Sequence, residues 1–459
     1  MNRFDLIVIG GGMGGYGTAI YGAKHGLKTV LIEKNRLGGT CLNRGCIPTK
    51  VYLESVHRFL DLGNLEKFAI YPVNRDEKPC YKIEVNELRN RKAGIVDSLV
   101  NGISKLLESA GVTVITETAV INSDKTVKLS SGEILSGDSV VIATGSEPLE
   151  IPPFNFDGKL ILSSNDALEL KTVPESLAVI GAGAIGCEFS EIYSALGSKI
   201  TVFEMMPGIL PGIDSGIVKR FSVLLKGKGI QLNTGVKIEG VKKSGDKILL
   251  EFSGKTAEFD AVLVSVGRKV NSEGISQEIE RNAKGGIKVN RRMETNIPGI
   301  FAVGDINGVQ MLAHSAVAQG QVVIQNLVHN KDLEFIPETV PFVVYTHPEI
   351  AGVGFTEEQV REKFGSVKIG NFTFRALGRA LAEESPDGMV KVIGTDDGVK
   401  GVFIFGKSAG ELIHSAVPFI SNRIPAEDII KTVFAHPTLS EAVKEAFEDF
   451  LGFAIHTVK

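Results

Sequence analysis

The residues best suited to chemistry lie in one stretch, Gly38-Gly39-Thr40-Cys41-Leu42-Asn43-Arg44-Gly45-Cys46-Ile47-Pro48-Thr49-Lys50. Two cysteines stand five positions apart, with glycines ahead of each and Pro-Thr-Lys behind. The spacing is not the C-x-x-C of a thioredoxin-like motif, and no second Cys or His pair accompanies it to build a zinc site. On an ideal helix, residues five apart lie about 140° apart around the axis. A bridge between these two therefore needs a loop or a distorted helix start, which the glycines and Pro48 allow. A helix N-terminus at this point would favour a thiolate and hence a reactive pair.

Two glycine loops surround this stretch in the chain. Phe4-Asp5-Leu6-Ile7-Val8-Ile9 reads as a buried parallel strand that runs into Gly10-Gly11-Gly12-Met13-Gly14-Gly15. In a G-x-G-x-x-G turn Gly10 permits the tight turn, Gly12 lets the backbone approach a pyrophosphate, and Gly15 lets the helix pack on the strand. The next strand, Thr29-Val30-Leu31-Ile32, ends at Glu33, placed to accept hydrogen bonds from a ribose. The same unit recurs: Leu177-Ala178-Val179-Ile180 precedes Gly181, Gly183 and Gly186, and Ile200-Thr201-Val202-Phe203 ends at Glu204. First glycine and acid are separated by the same interval in both copies, an internal repeat that predicts two dinucleotide sites.

The cysteine stretch resembles the redox-active disulfide motif G-G-T-C-x-x-x-G-C-x-P-[ST]-K of the flavin-dependent pyridine nucleotide–disulfide oxidoreductases. The resemblance implies a Cys41–Cys46 disulfide and FAD on the first unit, held by Gly10, Gly12, Gly15 and Glu33 with Lys50 close to the flavin. It adds Thr144 and Gly145 at the end of Val141-Ile142-Ala143, Asp305 of Gly304-Asp305 on the ribityl chain, and a helix beneath the flavin that includes Ala313. NAD then belongs to the second unit, with Gly181, Gly183, Gly186, Glu188 near the nicotinamide, Glu204, and Gly267 on the return strand. Glu204 would bond a 2′-hydroxyl and repel a 2′-phosphate. Met205, Met206, Pro207 and Gly208 follow where NADP-dependent relatives place arginines.

Near the end stands His436-Pro437-Thr438-Leu439-Ser440-Glu441, similar to the family's acid–base motif, in which His436 moves protons and Glu441 orients it. An imidazole suits this because its unperturbed pKa of about 6.5 allows exchange near neutrality. The activity implied is oxidation of protein-bound dihydrolipoamide to lipoamide with NAD⁺, for lipoyl domains of 2-oxo-acid dehydrogenase or glycine-cleavage complexes. An NAD(P)H-dependent reductase of another disulfide, as in glutathione reductase, is the alternative. A non-catalytic docking subunit is the reading from outside enzymology, and Cys41, Cys46, His436 and Glu441 oppose it. Relatives commonly have Glu at Gln319 and a second His at Phe434.

These motifs need an α/β chain: two Rossmann-like dinucleotide-binding domains plus a C-terminal α+β dimerisation domain. Expected boundaries are 1–147 for the FAD-binding domain, 148–266 for the NAD-binding domain, 267–335 for a segment completing the first, and 336–459 for the dimerisation domain of a homodimer. In the family the His–Glu pair serves the neighbouring subunit. Val85 to Ala110 reads as an amphipathic helix with Ile95, Leu99, Ile103, Leu106 and Leu107 in its apolar stripe. At 459 residues the chain exceeds one core, and a formal charge of −4 argues against a nucleic-acid or anionic-membrane partner. Four cysteines are too few for a disulfide framework, and Cys80 and Cys187 read as spare thiols. No metal site is expected. No apolar run reaches the ~20 residues of a membrane span, and the early first strand leaves no room for a leader, so a cytoplasmic protein is expected.

Overall fold

The computed structural model describes residues 2–74 and 80–457; Met1, residues 75–79, Val458 and Lys459 lie outside the description. The described chain divides into two compact units. The first comprises Met1–Val51, Asn86–Leu149 and Gly267–Pro337, and the second Tyr52–Val85, Glu150–Val266 and Glu338–Lys459.

In the first unit the strand Asn2–Ile9 lies between Thr29–Ile32 and Ile134–Ile142, parallel to both. Thr113–Ile115 extends one edge, and the antiparallel pair Ala119–Ile121 and Thr126–Leu129 extends the other. Ile300–Ala302 pairs in parallel with Ile134–Ile142, so the late segment after Gly267 completes the sheet begun at residue 2. Ile7, Val30, Val140 and Ile300 are fully buried together, as expected of parallel strands covered on both faces. The helix Val85–Ser109 buries Leu88, Val96, Ile103 and Leu107. Of the expected stripe, Leu99 and Leu106 are instead exposed, because a 25-residue surface helix hides only one narrow face.

The second unit repeats the pattern. A five-stranded parallel sheet runs in the order Gln231–Thr234, Lys199–Glu204, Ser176–Ile180, Ala261–Val264, Ile161–Leu162, and a three-stranded antiparallel meander (Ile238–Phe259) packs against it through Ile248, Leu250 and Phe259. The C-terminal part is a five-stranded antiparallel sheet built from Phe342–Val344, Glu349–Gly354, Lys368–Thr373, Met389–Thr395 and Gly398–Gly406. The helix Glu441–Leu451 buries Val443, Ala446, Phe447 and Phe450 against it, together with Phe374 and Ile404. Alternation is weak in Met389–Thr395 because both of its faces are covered, and all seven residues are buried.

One of those seven is charged. Lys391 Nζ lies 3.0 Å and 2.9 Å from the two carboxylate oxygens of Asp214 and 2.7 Å from Glu357 Oε2. Asp214 is fully buried and also caps the helix Ser215–Gly227 through Gly216 N and Ile217 N. Burial works against the Lys391 ammonium, but Glu357 and Asp214 outweigh it and hold its pKa above the usual lysine value. Removing one partner from such a knot strands the others. Lys391→Met is expected to cost about 3–5 kcal/mol and to lower the calorimetric unfolding midpoint, whereas Lys368→Met on the neighbouring strand leaves it within a degree or so.

Candidate active site

Gly39 determines where the cysteines go. A Cβ placed on it would fall 2.6 Å from Gly12 Cα, so only glycine allows the segment to touch the first dinucleotide loop. Gly38 N donates to Gly11 O at 2.8 Å and a bridge joins Gly12 to Gly38, fastening the two loops backbone to backbone. Asn43 Nδ2 then donates to Leu37 O and Gly39 O, both at 2.9 Å, closing the turn beneath the cysteines.

The expected break in the helix is present. Gly39–Arg44 and Cys46–Asp61 are separate helices with Gly45 between them at φ −143 and ψ −115. Cys46 is therefore the first residue of the second helix, and Thr49 Oγ1 donates to Gly45 O at 2.9 Å across the junction. Cys41 and Cys46 are brought together as hydrogen-bonded thiols. The hydrogen bond to Cys46, reinforced by burial, pushes the Cys41 thiol far up, while Lys50 pulls the other way. In the single chain Cys46 is the more exposed of the two. Of the remaining cysteines, Cys187 is buried and its thiol is raised by burial, and Cys80 is exposed.

Residues absent from the sequence-derived set tie this segment to the flavin-loop strands. Arg268, largely buried, donates from Nε to Ser146 Oγ at 2.7 Å and from Nη2 to Ser146 O at 2.8 Å. Ser146 Oγ donates to Asp305 Oδ2 at 2.5 Å, and Arg268 Nε lies 3.7 Å from the same oxygen. Burial depresses the guanidinium's pKa, with Asp305 and Cys46 opposing. Thr144 Oγ1 donates to Asn271 O at 2.7 Å, and Asn271 N donates to Gly145 O at 2.9 Å. Asp305, Thr144 and Gly145 are thereby held in one unit with Gly10–Gly15 and Lys50, and Ala313 opens the helix Ala313–His329 there. Gly267, expected with the nicotinamide, belongs to this unit as well, its carbonyl accepting from Leu149 N at 3.1 Å. A charged residue next to Gly267, just past the apolar strand Ala261–Val264, was the available signal for Arg268.

The two glycine loops match atom for atom. A Cβ on Gly15 would lie 1.7 Å from Gly10 O, and one on Gly186 would lie 2.0 Å from Gly181 O, which is the close packing the third glycine serves. Gly11 N donates to Glu33 Oε2 at 2.6 Å and Asn35 N to Glu33 Oε1 at 2.8 Å. Ala182 N and Met206 N donate to the two oxygens of Glu204, each at 2.8 Å. Each carboxylate keeps further lone pairs for a ribose. The second glycines leave space: a Cβ on Gly12 would meet only Gly39 Cα at 3.7 Å, and one on Gly183 nothing within 4 Å. The helices Met13–Lys24 and Ala184–Ala195 start at these glycines without a side-chain cap, leaving amide N–H groups for a pyrophosphate. Glu188, buried, accepts from Tyr345 N at 3.1 Å within the second unit.

At the other end of the chain His436 Nδ1 and Glu441 Oε1 are 2.9 Å apart, and Thr438 N donates to Glu441 Oε2 at 2.9 Å. Glu441 is the first residue of the helix Glu441–Leu451, where the helix dipole favours an anion. Burial raises its carboxyl, but the Thr438 N–H and His436 outweigh this and leave the pKa below the usual value. With Nδ1–H facing the carboxylate, Nε2 is the ring's basic atom, and the His436 side chain is 80% exposed. Phe434, the departure from the family's second histidine, is half-buried against the C-terminal core. Gln319, the other departure, is fully buried with both ends used: Oε1 accepts from Gly304 N at 2.7 Å and Asn307 Nδ2 at 2.8 Å, and Nε2 donates to Ser315 Oγ at 3.2 Å. Among the described residues no group of three or more His, Cys, Asp or Glu could hold a metal, and no helix is long and apolar enough to cross a membrane.

What fold and site define together is an oxidoreductase that couples a dithiol to bound dinucleotides. The chain belongs to the pyridine nucleotide-disulphide oxidoreductases: the family's pattern matches residues 4–320, and that of its dimerisation domain matches residues 340–447. It is 37% identical over 469 residues to a dihydrolipoyl dehydrogenase of Bacillus subtilis, covering 98% of this chain and 99% of the relative. It is 39% identical over 468 residues to one of Thermus scotoductus, covering 99% of each. The crystal structure of LpdA from Mycobacterium tuberculosis matches with a TM-score of 0.88 at 26% identity, covering 98% of this chain and 99% of that one. FAD and NAD are the cofactors.

Gln319→Ala strands the Gly304 amide and Asn307, and at about 1–3 kcal/mol per orphaned group FAD should dissociate at least tenfold more readily, read by flavin fluorescence on dilution. For Glu441 the folded pKa lies below the ordinary value of 4.5. Its stabilisation is therefore complete above that value and lost as pH falls through the depressed one. Wild type and Glu441→Gln should melt apart at neutral pH and converge as the pH is taken well below the ordinary carboxyl range.

Proposed function

We propose that this protein oxidises the dihydrolipoyl group of a lipoyl domain to the cyclic disulfide, with NAD⁺ as final acceptor, as a homodimer. The observation that carries the reading is the Cys41–Cys46 dithiol fastened through Gly38 and Gly39 to the first dinucleotide loop. The long match to dihydrolipoyl dehydrogenases supports the substrate class. Residues 1–147 and 267–335 would bind FAD, 148–266 NAD, and 336–459 would form the dimer, a reading supported by the repeated glycine loops and the dimerisation pattern.

The reaction starts from the oxidised pair. One substrate thiol gives its proton to His436 Nε2 while its sulfur attacks Cys41, breaking the Cys41–Cys46 bond and forming a mixed disulfide. Cys46 leaves as a thiolate, stabilised at the start of its helix and by the Arg268 charge. The second substrate thiol then displaces Cys41, its proton passing to the departing Cys41 sulfur; the substrate leaves as a disulfide, and the protein holds the Cys41 thiol, the Cys46 thiolate and the first proton on His436. Glu441 keeps the imidazole oriented and stabilises the imidazolium that forms. FAD, when bound, supplies two-electron exchange with the dithiol and hydride transfer to NAD⁺. Gly10, Gly12, Gly15, Glu33, Thr144, Gly145, Asp305 and Ala313 would hold it, with Lys50 beside the dithiol. Gly181, Gly183, Gly186, Glu188 and Glu204 would hold NAD⁺, and the anionic Glu204 disfavours a 2′-phosphate.

The exposed His436 of one subunit would serve the dithiol of its partner. Anaerobic mixing of the yellow protein with dihydrolipoamide and NAD⁺ should yield NADH rapidly, while glutathione disulfide with NADPH turns over poorly. The opposite preference would move the substrate to another disulfide. His436→Gln should slow dithiol oxidation by about 10²–10⁴-fold while NADH still reduces the flavin. A verified monomer should be inactive.

A further inference from the structure

Glu188 and Glu191 lie one turn apart on the helix Ala184–Ala195, and both are buried, at 6% and 2% exposure. Only Glu188 has a place in the chemistry described above. The two carboxylates grip a single strap of chain, Tyr345–His347. Tyr345 N donates to Glu188 Oε1 at 3.1 Å, and His347 N donates to Glu191 Oε2 at 2.9 Å. Residues three apart on a helix are neighbours, so both carboxylates reach the same short strap.

An ion pair closes the grip. Lys228 Nζ sits 3.0 Å from Glu191 Oε1 and also donates to His347 O, so both polar groups of the His347 backbone are fixed by one pair of charges. His57 Nε2 lies 3.5 Å from Glu191 Oε1, and the His57 and His347 rings are 5.0 Å apart. Burial raises the Glu191 carboxyl, but His57, Lys228 and the His347 amide outweigh it and keep it below the usual range. Burial lowers the His347 imidazole, with His57 and Lys228 adding to the effect. The Lys228 ammonium already occupies the place a cation would take, so these side chains form a clamp and not a metal site. A buried carboxylate with this many partners admits one arrangement of the strap and resists others.

We propose that the Glu191–Lys228 pair is a positioning device for the nicotinamide end of the NAD site: it locks the Tyr345–His347 strap, and the strap, through Tyr345 N, orients Glu188. The inference rests on the reading that Glu188 faces the nicotinamide. In the holoenzyme, NADH binding is measured by calorimetry and the two half-reactions by stopped flow, for Glu191→Gln, Lys228→Met, Lys228→Arg and the control Glu188→Gln. Glu191→Gln and Lys228→Met should each weaken NADH binding about tenfold and raise KM for NAD⁺, with flavin reduction by dihydrolipoamide unchanged. Lys228→Arg should recover most of the affinity. Wild-type NADH affinity in Glu191→Gln and Lys228→Met, alongside a weakened Glu188→Gln, would overturn the clamp. So would equal losses in both half-reactions, the mark of general damage to the fold. Wild-type affinity in Glu188→Gln would instead remove the reading of Glu188 on which the clamp depends.

Discussion

The backbone contact between Gly12 and Gly39 is the constraint on which the redox chemistry depends. Thiols and a dinucleotide exchange electrons only at contact, and side chains cannot supply that contact where two main chains must meet. Glycine at position 39 allows it, and the Gly38–Gly11 hydrogen bond makes it specific. Everything distal to it follows in order: the short helix that carries Cys41, the break at Gly45, and the second helix whose first residue is Cys46. The dithiol is thus an extension of the glycine loop.

Polar groups around this contact are satisfied in a chain. Arg268 holds Ser146, Ser146 holds Asp305, and Asn271 holds Thr144 and Gly145. A buried guanidinium is costly unless its donors are used, and here they are spent on the residues proposed to line the flavin. Gln319 belongs to the same economy of partners. An amide at that position both accepts and donates, so the Gly304 turn is held without burying another charge.

The second unit solves a different problem with charges. Lys391 with Asp214 and Glu357, and Lys228 with Glu191, each join elements far apart in sequence. Buried ion pairs of this kind contribute little net stability against apolar replacements of the same shape, but they penalise every arrangement that separates them. Specific placement of the strap and of the helix Ala184–Ala195 is the gain.

Much of this was legible in the chain. The repeat of glycine loop, strand and terminal acid located both tight strand-to-helix turns, because close backbone packing leaves no alternative to glycine at Gly15 and Gly186. The C-x₄-C stretch required a helix break, and Gly45 provides it. The spacing of His436 and Glu441 brought imidazole and carboxylate together because the turn between them is local. Non-local partners were not legible. Nothing in the order of residues joins Arg268 to Ser146, Lys391 to Asp214, or Glu191 to His347, since these pairs form only when distant segments pack. Nor could period alone say which apolar residues of Val85–Ser109 are buried. Local backbone geometry was written in residue types and spacing. Which buried charge meets which was decided only by the tertiary structure, because desolvation makes each such group depend on a partner that the sequence places far away.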